Sequence, residues 1–168
     1  MVCSTVAVMA TLLDSCFTDA PPIAAEVARG VTRLFCRQDL FAICEVPLPN
    51  GRRADMMAID AKGALTIVEI KVAKSDLLGD GKWTDYLEYC DRFFWAVPPP
   101  LSAICEGERF LPNEAGLIVA DRYDAVMVRD AAHRPLASAR RKAEVLRFAR
   151  RAARRLSVQI DPSLGDDY

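Results

Sequence analysis

Residues 52–72 read RRADMMAIDAKGALTIVEIKV, and the fold is decided in this stretch. Its first nine residues have the apolar pattern of a strand interrupted at Asp55. The run Asp60-Ala61-Lys62-Gly63 signals a turn, and ALTIVEIKV (64–72) is apolar on both faces. A strand of that second kind is usually central, with layers on both sides. Glu69 and Lys71 lie two apart and so point to one face. Their neighbours Leu65, Ile67, Val68, Ile70 and Val72 are all apolar. A carboxylate and an ammonium there are costly unless paired, metal-bound or at a solvated strand end. A hairpin about residues 60–63 brings Asp55 beside Glu69, where two like charges hold at least one proton unless a cation is shared. Mg²⁺ resolves the conflict, because hard cations take carboxylate oxygens and waters. The competing reading is a buried Glu69–Lys71 ion pair with Asp55 at the surface near the turn.

Working outward, Ile23, Val27, Val31, Leu34 and Phe35 after Pro21-Pro22 mark one face of an amphipathic helix. FAICEVPL (41–48) is a strand, and Pro49-Asn50-Gly51 turns it into the next. Past the central strand the spacing predicts a loop with Gly79 and Gly81, then a helix over KWTDYLEYC (82–90). FFWAVP (93–98) is a short buried strand; GLIVAD (116–121) and DAVMVRD (124–130) form a further hairpin; a long helix covers roughly 137–157. This order is mixed α/β. It divides the chain into an N-terminal extension (1–21), one domain (22–157) and an acidic tail (158–168).

The 168 residues, 52% hydrophobic and 27% charged, suit one globular domain with a sizeable core. The net charge of −1 conceals an asymmetry: residues 1–133 hold 13 basic and 19 acidic side chains, whereas residues 134–155 hold nine and one. On the long helix Arg140, Arg141, Arg147, Arg150, Arg151, Arg154 and Arg155 fall within about half the cylinder, with Leu146, Ala149, Ala152, Ala153 and Leu156 opposite. The expectation is that the leucine–alanine side packs and the arginines meet phosphates. A solvated face would mix signs, yet Glu144 is the only acid there.

Several classes are excluded. No run of about 18 apolar residues is available to span a membrane. The apolar opening has no basic residue before Arg29, unlike a secretory signal. Six cysteines without a CxxC pair, and the single His133, argue against a zinc site or a histidine-dependent triad. The thiols read instead as small buried hydrophobes of a cytoplasmic protein. Gly79-Asp80-Gly81-Lys82-Trp83-Thr84 is no phosphate loop, since Asp76 and Trp83 stand where Gly and Ser or Thr are needed. Trp83, Tyr86, Tyr89, Phe93, Phe94 and Trp95 are spaced as core; a base-stacking platform is the minority alternative.

Asp55, thirteen intervening residues, then Glu69-Ile70-Lys71 resembles the PD-(D/E)xK nuclease superfamily. More closely, the block 52–98 resembles the MmcB-like DNA repair proteins of bacteria, over roughly residues 22–157. The resemblance implies a restriction-endonuclease-like αβββαβ core, here with an extra C-terminal β-hairpin and a long basic C-terminal helix. It implies that Asp55 and Glu69 hold Mg²⁺ or Mn²⁺, with the Ile70 carbonyl as a further ligand. Lys71 would then position the attacking water and stabilise phosphate charge. Glu26 stands where some such nucleases place a helix glutamate; it equally suits a salt bridge with Arg29 or Arg33. Ala54 replaces the proline of the motif, and Lys82 replaces the glutamine of a QxxxY element ending at Tyr86. Lys82 is a phosphate contact or an ordinary surface lysine, and Lys74 and Asp76 are looser candidates for the rim. The implied function is metal-dependent hydrolysis of DNA phosphodiesters in repair, by a cytoplasmic protein with DNA and other repair proteins as partners. A homodimer would allow paired cuts. The rivals are an inactive DNA-binding accessory of the same fold, and an interaction module docking its basic helix on an acidic protein.

Overall fold

Helix α1 spans Pro22–Arg37 and buries Val27, Val31 and Phe35, the face its apolar spacing marks. These elements belong to a computed structural model describing residues 22–165. Strands β1 (Phe41–Pro47), β2 (Arg53–Ile59) and β3 (Leu65–Ile70) follow. Gly51 (φ 80°) and Gly63 (φ 78°) take the left-handed backbone of the two intervening turns, a conformation glycine adopts at no steric cost. Asp60 locks the second turn by accepting hydrogen bonds from the amides of Lys62 and Ala64, both at 2.8 Å.

A short helix α2 (Lys74–Gly79) leads into a single 3₁₀ turn at Trp83–Tyr86. The helix expected over 82–90 is therefore reduced to that turn, and the helical segment lies earlier, where a loop was expected. Trp83, Tyr86, Tyr89 and Cys90 are all buried in one layer, the side the helical spacing marks, although Asn50 and Arg52 hold Asp85 in a single turn. Strands β4 (Arg92–Val97), β5 (Gly116–Ala120) and β6 (Ala125–Arg129) complete a sheet ordered β1 to β6. The β3–β4 and β4–β5 pairs are parallel and the other three antiparallel. The αβββαβ order of a restriction-endonuclease-like core is present, with β5–β6 as the extra hairpin.

The sheet has a layer on each face. On one, Val31 and Phe35 of α1 pack with Met56, Val68, Phe94 and Ile118. The helix lies close over the β5–β6 turn: a Cβ on Gly30 would sit 2.3 Å from the Asp121 carbonyl oxygen. On the other face, Ile67, Trp95 and Leu117 meet Trp83, Phe110 and Phe148. The aromatic cluster is core, as its spacing implied, except that Phe94 serves the α1 layer. Cys44, Cys90 and Cys105 are buried free thiols and Cys36 is exposed; Cys3 and Cys16 lie outside the described residues, as does the extension 1–21.

Helix α3 (Ser138–Ile160) is tied down by a buried carboxylate. Asp91 accepts from the amides of Leu65 and Leu136 at 2.8 Å each and from Arg141 at 2.5 Å. The expected facing of α3 is wrong. Phe148 and Glu144 are its buried residues, while Leu146, Ala149, Ala153 and Leu156 point outward; of the face expected to pack, only Ala152 is partly covered. Arg151 and Arg155 turn inward and donate to carbonyls at the β1 edge, those of Glu45 and of Cys44 with Glu45. Glu45 has φ 51°, so the edge is irregular there. Two effects favour the observed facing: the Phe148 ring buries more apolar area than any one of the alanines, and edge carbonyls need donors that arginines supply while their stems cover apolar surface.

Candidate active site

Strand register brings the two carboxylates together. Met56 pairs with Val68 and Met57 with Ile67, so one step on, Asp55 stands opposite Glu69. Both point away from α1, because Met56 and Val68 on alternate positions face it. Asp55 Oδ2 accepts a hydrogen bond from the Ile70 amide at 2.7 Å, which fixes this carboxylate to the neighbouring strand. β3 is central and buried along its length, so Glu69 and Lys71 have little water to solvate them.

Lys71 Nζ lies 3.1 Å from Glu69 Oε1, 3.0 Å from Asp80 Oδ2 and 3.6 Å from Asp76 Oδ1. Its own amide donates to the Ala96 carbonyl at 3.0 Å, so the backbone beneath it is anchored on β4. Glu69 Oε2 is buried with no hydrogen-bond partner. Tyr86, stacked on Phe93, donates from its hydroxyl to the Arg53 carbonyl at 3.1 Å. On β1, Glu45 pairs with Arg53 at 2.6 Å.

Burial dominates the proton affinities. It pushes Asp55 up to about 6, against the Ile70 amide and Lys71, which favour the anion, with Glu45 reinforcing the rise. It pushes Glu69 up to about 8, with Asp55 adding to the rise and Lys71 opposing it. Burial disfavours the Lys71 ammonium, but Glu69 and Asp80 outweigh that and hold it well above the usual lysine range. The Tyr86 phenol is raised far above its ordinary value by burial and by the charges of Glu69, Asp55 and Asp80. Near neutrality, then, the pair Asp55–Glu69 retains a proton, Lys71 is a cation and Tyr86 is neutral.

A divalent cation fits this donor set. Two opposed carboxylates, one with an orphaned buried oxygen, are short of positive charge. Among the described residues no three His, Cys, Asp or Glu side chains converge on a metal position. The ion would thus rest on Asp55 and Glu69, with the Ile70 carbonyl, water or substrate phosphate completing it, the usual economy of Mg²⁺ sites.

The structure thus gathers Asp55, Glu69 and Lys71, and Ile70 lies between the last two. It sets the other expected residues apart. Glu26 sits on α1, across the sheet, and pairs with Arg122 at 2.9 Å, so the salt-bridge reading of it holds with a different partner. Lys74 and Lys82 are exposed on the segment between β3 and the 3₁₀ turn, the Lys82 amide donating to Asp80 at 3.2 Å. Of the arginines, Arg147, Arg150 and Arg154 are exposed, and Arg140 is half-buried with its guanidinium over the Tyr89 ring. Arg140 and Arg147 lie 3.6 and 2.5 Å from Glu144. Arg141, Arg151 and Arg155 are turned inward as described, so the continuous arginine face is halved. Sequence reasoning misses Asp80 as a partner of Lys71. In the sequence Asp80 belongs only to a failed phosphate loop, and Tyr86 reads as core and as the tyrosine of the QxxxY element, without a stated role at the site.

The model of the MmcB-like DNA repair protein family matches residues 15–163. The chain belongs to this family. It is also similar, in shape and in sequence, to a solved structure described as the SPO1766 protein of unknown function from Silicibacter pomeroyi. That protein is 42% identical, with a TM-score of 0.76 over 86% of this chain and 95% of the other. No curated protein matches. A role in DNA repair, with DNA as a partner, follows from the MmcB-like family. Among the described residues no helix is long and apolar enough to cross a membrane.

Proposed function

We propose that this MmcB-like protein is a Mg²⁺- or Mn²⁺-dependent deoxyribonuclease that hydrolyses phosphodiester bonds in DNA repair. One observation carries the reading: Glu69 Oε2 is buried without a partner, directly across the strand pair from Asp55 and beside the Lys71 ammonium. When bound, the ion would acidify a water and neutralise phosphate oxygens. The remaining work belongs to the chain. The Ile70 amide holds Asp55 in one orientation. Lys71, held between Glu69 and Asp80, stabilises the charge developing on the phosphate. Asp80 shares that ammonium with Glu69 and holds it charged. Lys74, Lys82 and the outward arginines Arg147, Arg150 and Arg154 supply phosphate contacts along the backbone.

The test incubates full-length protein with supercoiled plasmid and branched oligonucleotides in Mg²⁺, Mn²⁺ or EDTA. Nicking is expected with either metal and not with EDTA. Asp55→Ala and Lys71→Ala should each reduce it by about 100-fold or more, as expected for loss of a group stabilising transition-state charge. Wild-type protein that nicks nothing while still binding DNA would move the assignment to the inactive accessory.

A further inference from the structure

Helix α3 turns outward a row of apolar residues that neither the core nor the candidate site uses. Leu146, Ala149, Ala153, Leu156 and Ile160 recur at intervals of three and four and are all exposed; Leu146 is 58%, Leu156 52% and Ile160 87% accessible. Single exposed leucines are ordinary, but a row at heptad spacing is the pattern of a helix seam. We propose that this row is a homodimer seam, in which α3 packs antiparallel on α3 of a second copy.

The row is self-complementary in one register. Setting Leu146 against Leu156 of the second copy places Ala149 against its Ala153 and Lys142 against its Ile160, and a two-fold axis repeats each contact. The central alanines let the two backbones approach closely, and the leucines fill the space on either side. Charge selects the same direction. Lys142 is exposed, with no ion pair among the described residues, and in this register it lies next to Asp161 of the second copy. Asp161 is exposed, and its carboxyl is held below the usual range by hydrogen bonds from Ser163, so it is charged. The chain carries Asp166 and Asp167 beyond it, and no basic residue after Arg155. An antiparallel seam thus sets the acidic end of each helix on the basic end of the other, and opposes the helix dipoles favourably; a parallel one sets like on like. Arg147, Arg150 and Arg154 flank the row on one side. They are exposed, so their mutual repulsion is damped by water and by salt over about 8 Å.

Sedimentation of the full-length protein tests this. Wild type should be a dimer. Leu146→Glu and Leu156→Glu should each weaken it at least about tenfold with unchanged circular dichroism, because both side chains are exposed in a single copy. Lys142→Asp and Asp161→Lys should each weaken the dimer, and the two together should restore it. A monomeric wild type at about 100 µM overturns the proposal, as does a dimer indifferent to Leu156→Glu. A double charge reversal that fails to recover overturns the antiparallel pairing. A monomer that instead binds an acidic amphipathic peptide through Leu156 would assign the row to a different protein.

Discussion

Replacing Glu69 with glutamine tests the electrostatics from which the metal site is inferred. Burial and Asp55 raise the Glu69 carboxyl from an ordinary 4.5 to about 8. The folded state therefore binds this proton more tightly than the unfolded chain. Stability without metal must fall as pH rises from about 4.5 to about 8 and level off beyond, since the slope follows the excess of protons on the native state. At about 1.4 kcal/mol per unit, ionising this carboxyl costs on the order of 5 kcal/mol, shared with Asp55 because the two titrate together. Glu69→Gln keeps an acceptor for Lys71 but buries an amide where Glu69 Oε2 has no partner, a penalty of about 1–2 kcal/mol. The variant should therefore match or fall below wild type at about pH 5 and exceed it by about 2 kcal/mol at about pH 8 in EDTA. Urea denaturation at the two pH values measures both. Saturating Mn²⁺ should reverse the order at the higher pH, since a ligand at about 100 times its Kd stabilises its site by about 2.7 kcal/mol and the variant has lost half of that site. If wild-type stability in EDTA is flat or rises across this pH window, or if Mn²⁺ stabilises both proteins equally, the account of a charge-starved carboxylate pair is wrong.

Other expectations are simpler. Asp91→Ala should cost about 3 kcal/mol or more in denaturant unfolding, because it strips the buried amides of Leu65 and Leu136 and the Arg141 guanidinium of one shared acceptor. Gly30→Ala should destabilise by about 1–3 kcal/mol, since the new Cβ meets the Asp121 and Asp124 carbonyl oxygens at 2.3 and 2.6 Å; an unchanged melting temperature would mean that α1 does not sit this close. Arg150→Ala should lower the salt slope of DNA binding by about one, whereas Arg155→Ala, whose guanidinium bonds strand carbonyls, should show its larger effect on stability.

The hairpin and the meeting of Asp55 with Glu69 were legible because both depend on short-range rules. Turn residues at 60–63 set the register, and strand alternation then places every side chain on a known face. The basic helix was legible as a helix but not in its facing. Its composition suggested that leucines and alanines pack, whereas Phe148, Glu144 and the stems of Arg151 and Arg155 do so. Nothing in the helix itself records that it lies along a strand edge whose carbonyls need donors. In the segment 74–90 the buried face was legible, since Trp83, Tyr86, Tyr89 and Cys90 share one layer, but its contraction to one turn was not, because Asp85 is held there by Asn50 and Arg52 from the β1–β2 turn.

Local chemistry along the chain thus determined the ladder of strands, the central buried strand and the three polar residues upon it, since pleat and turn geometry act between near neighbours. Tertiary structure alone decided that Asp80 reaches Lys71, that Glu26 lies across the sheet, and which of the arginines face water. Those outcomes depend on which layer covers which face, a competition for burial among segments far apart in the chain.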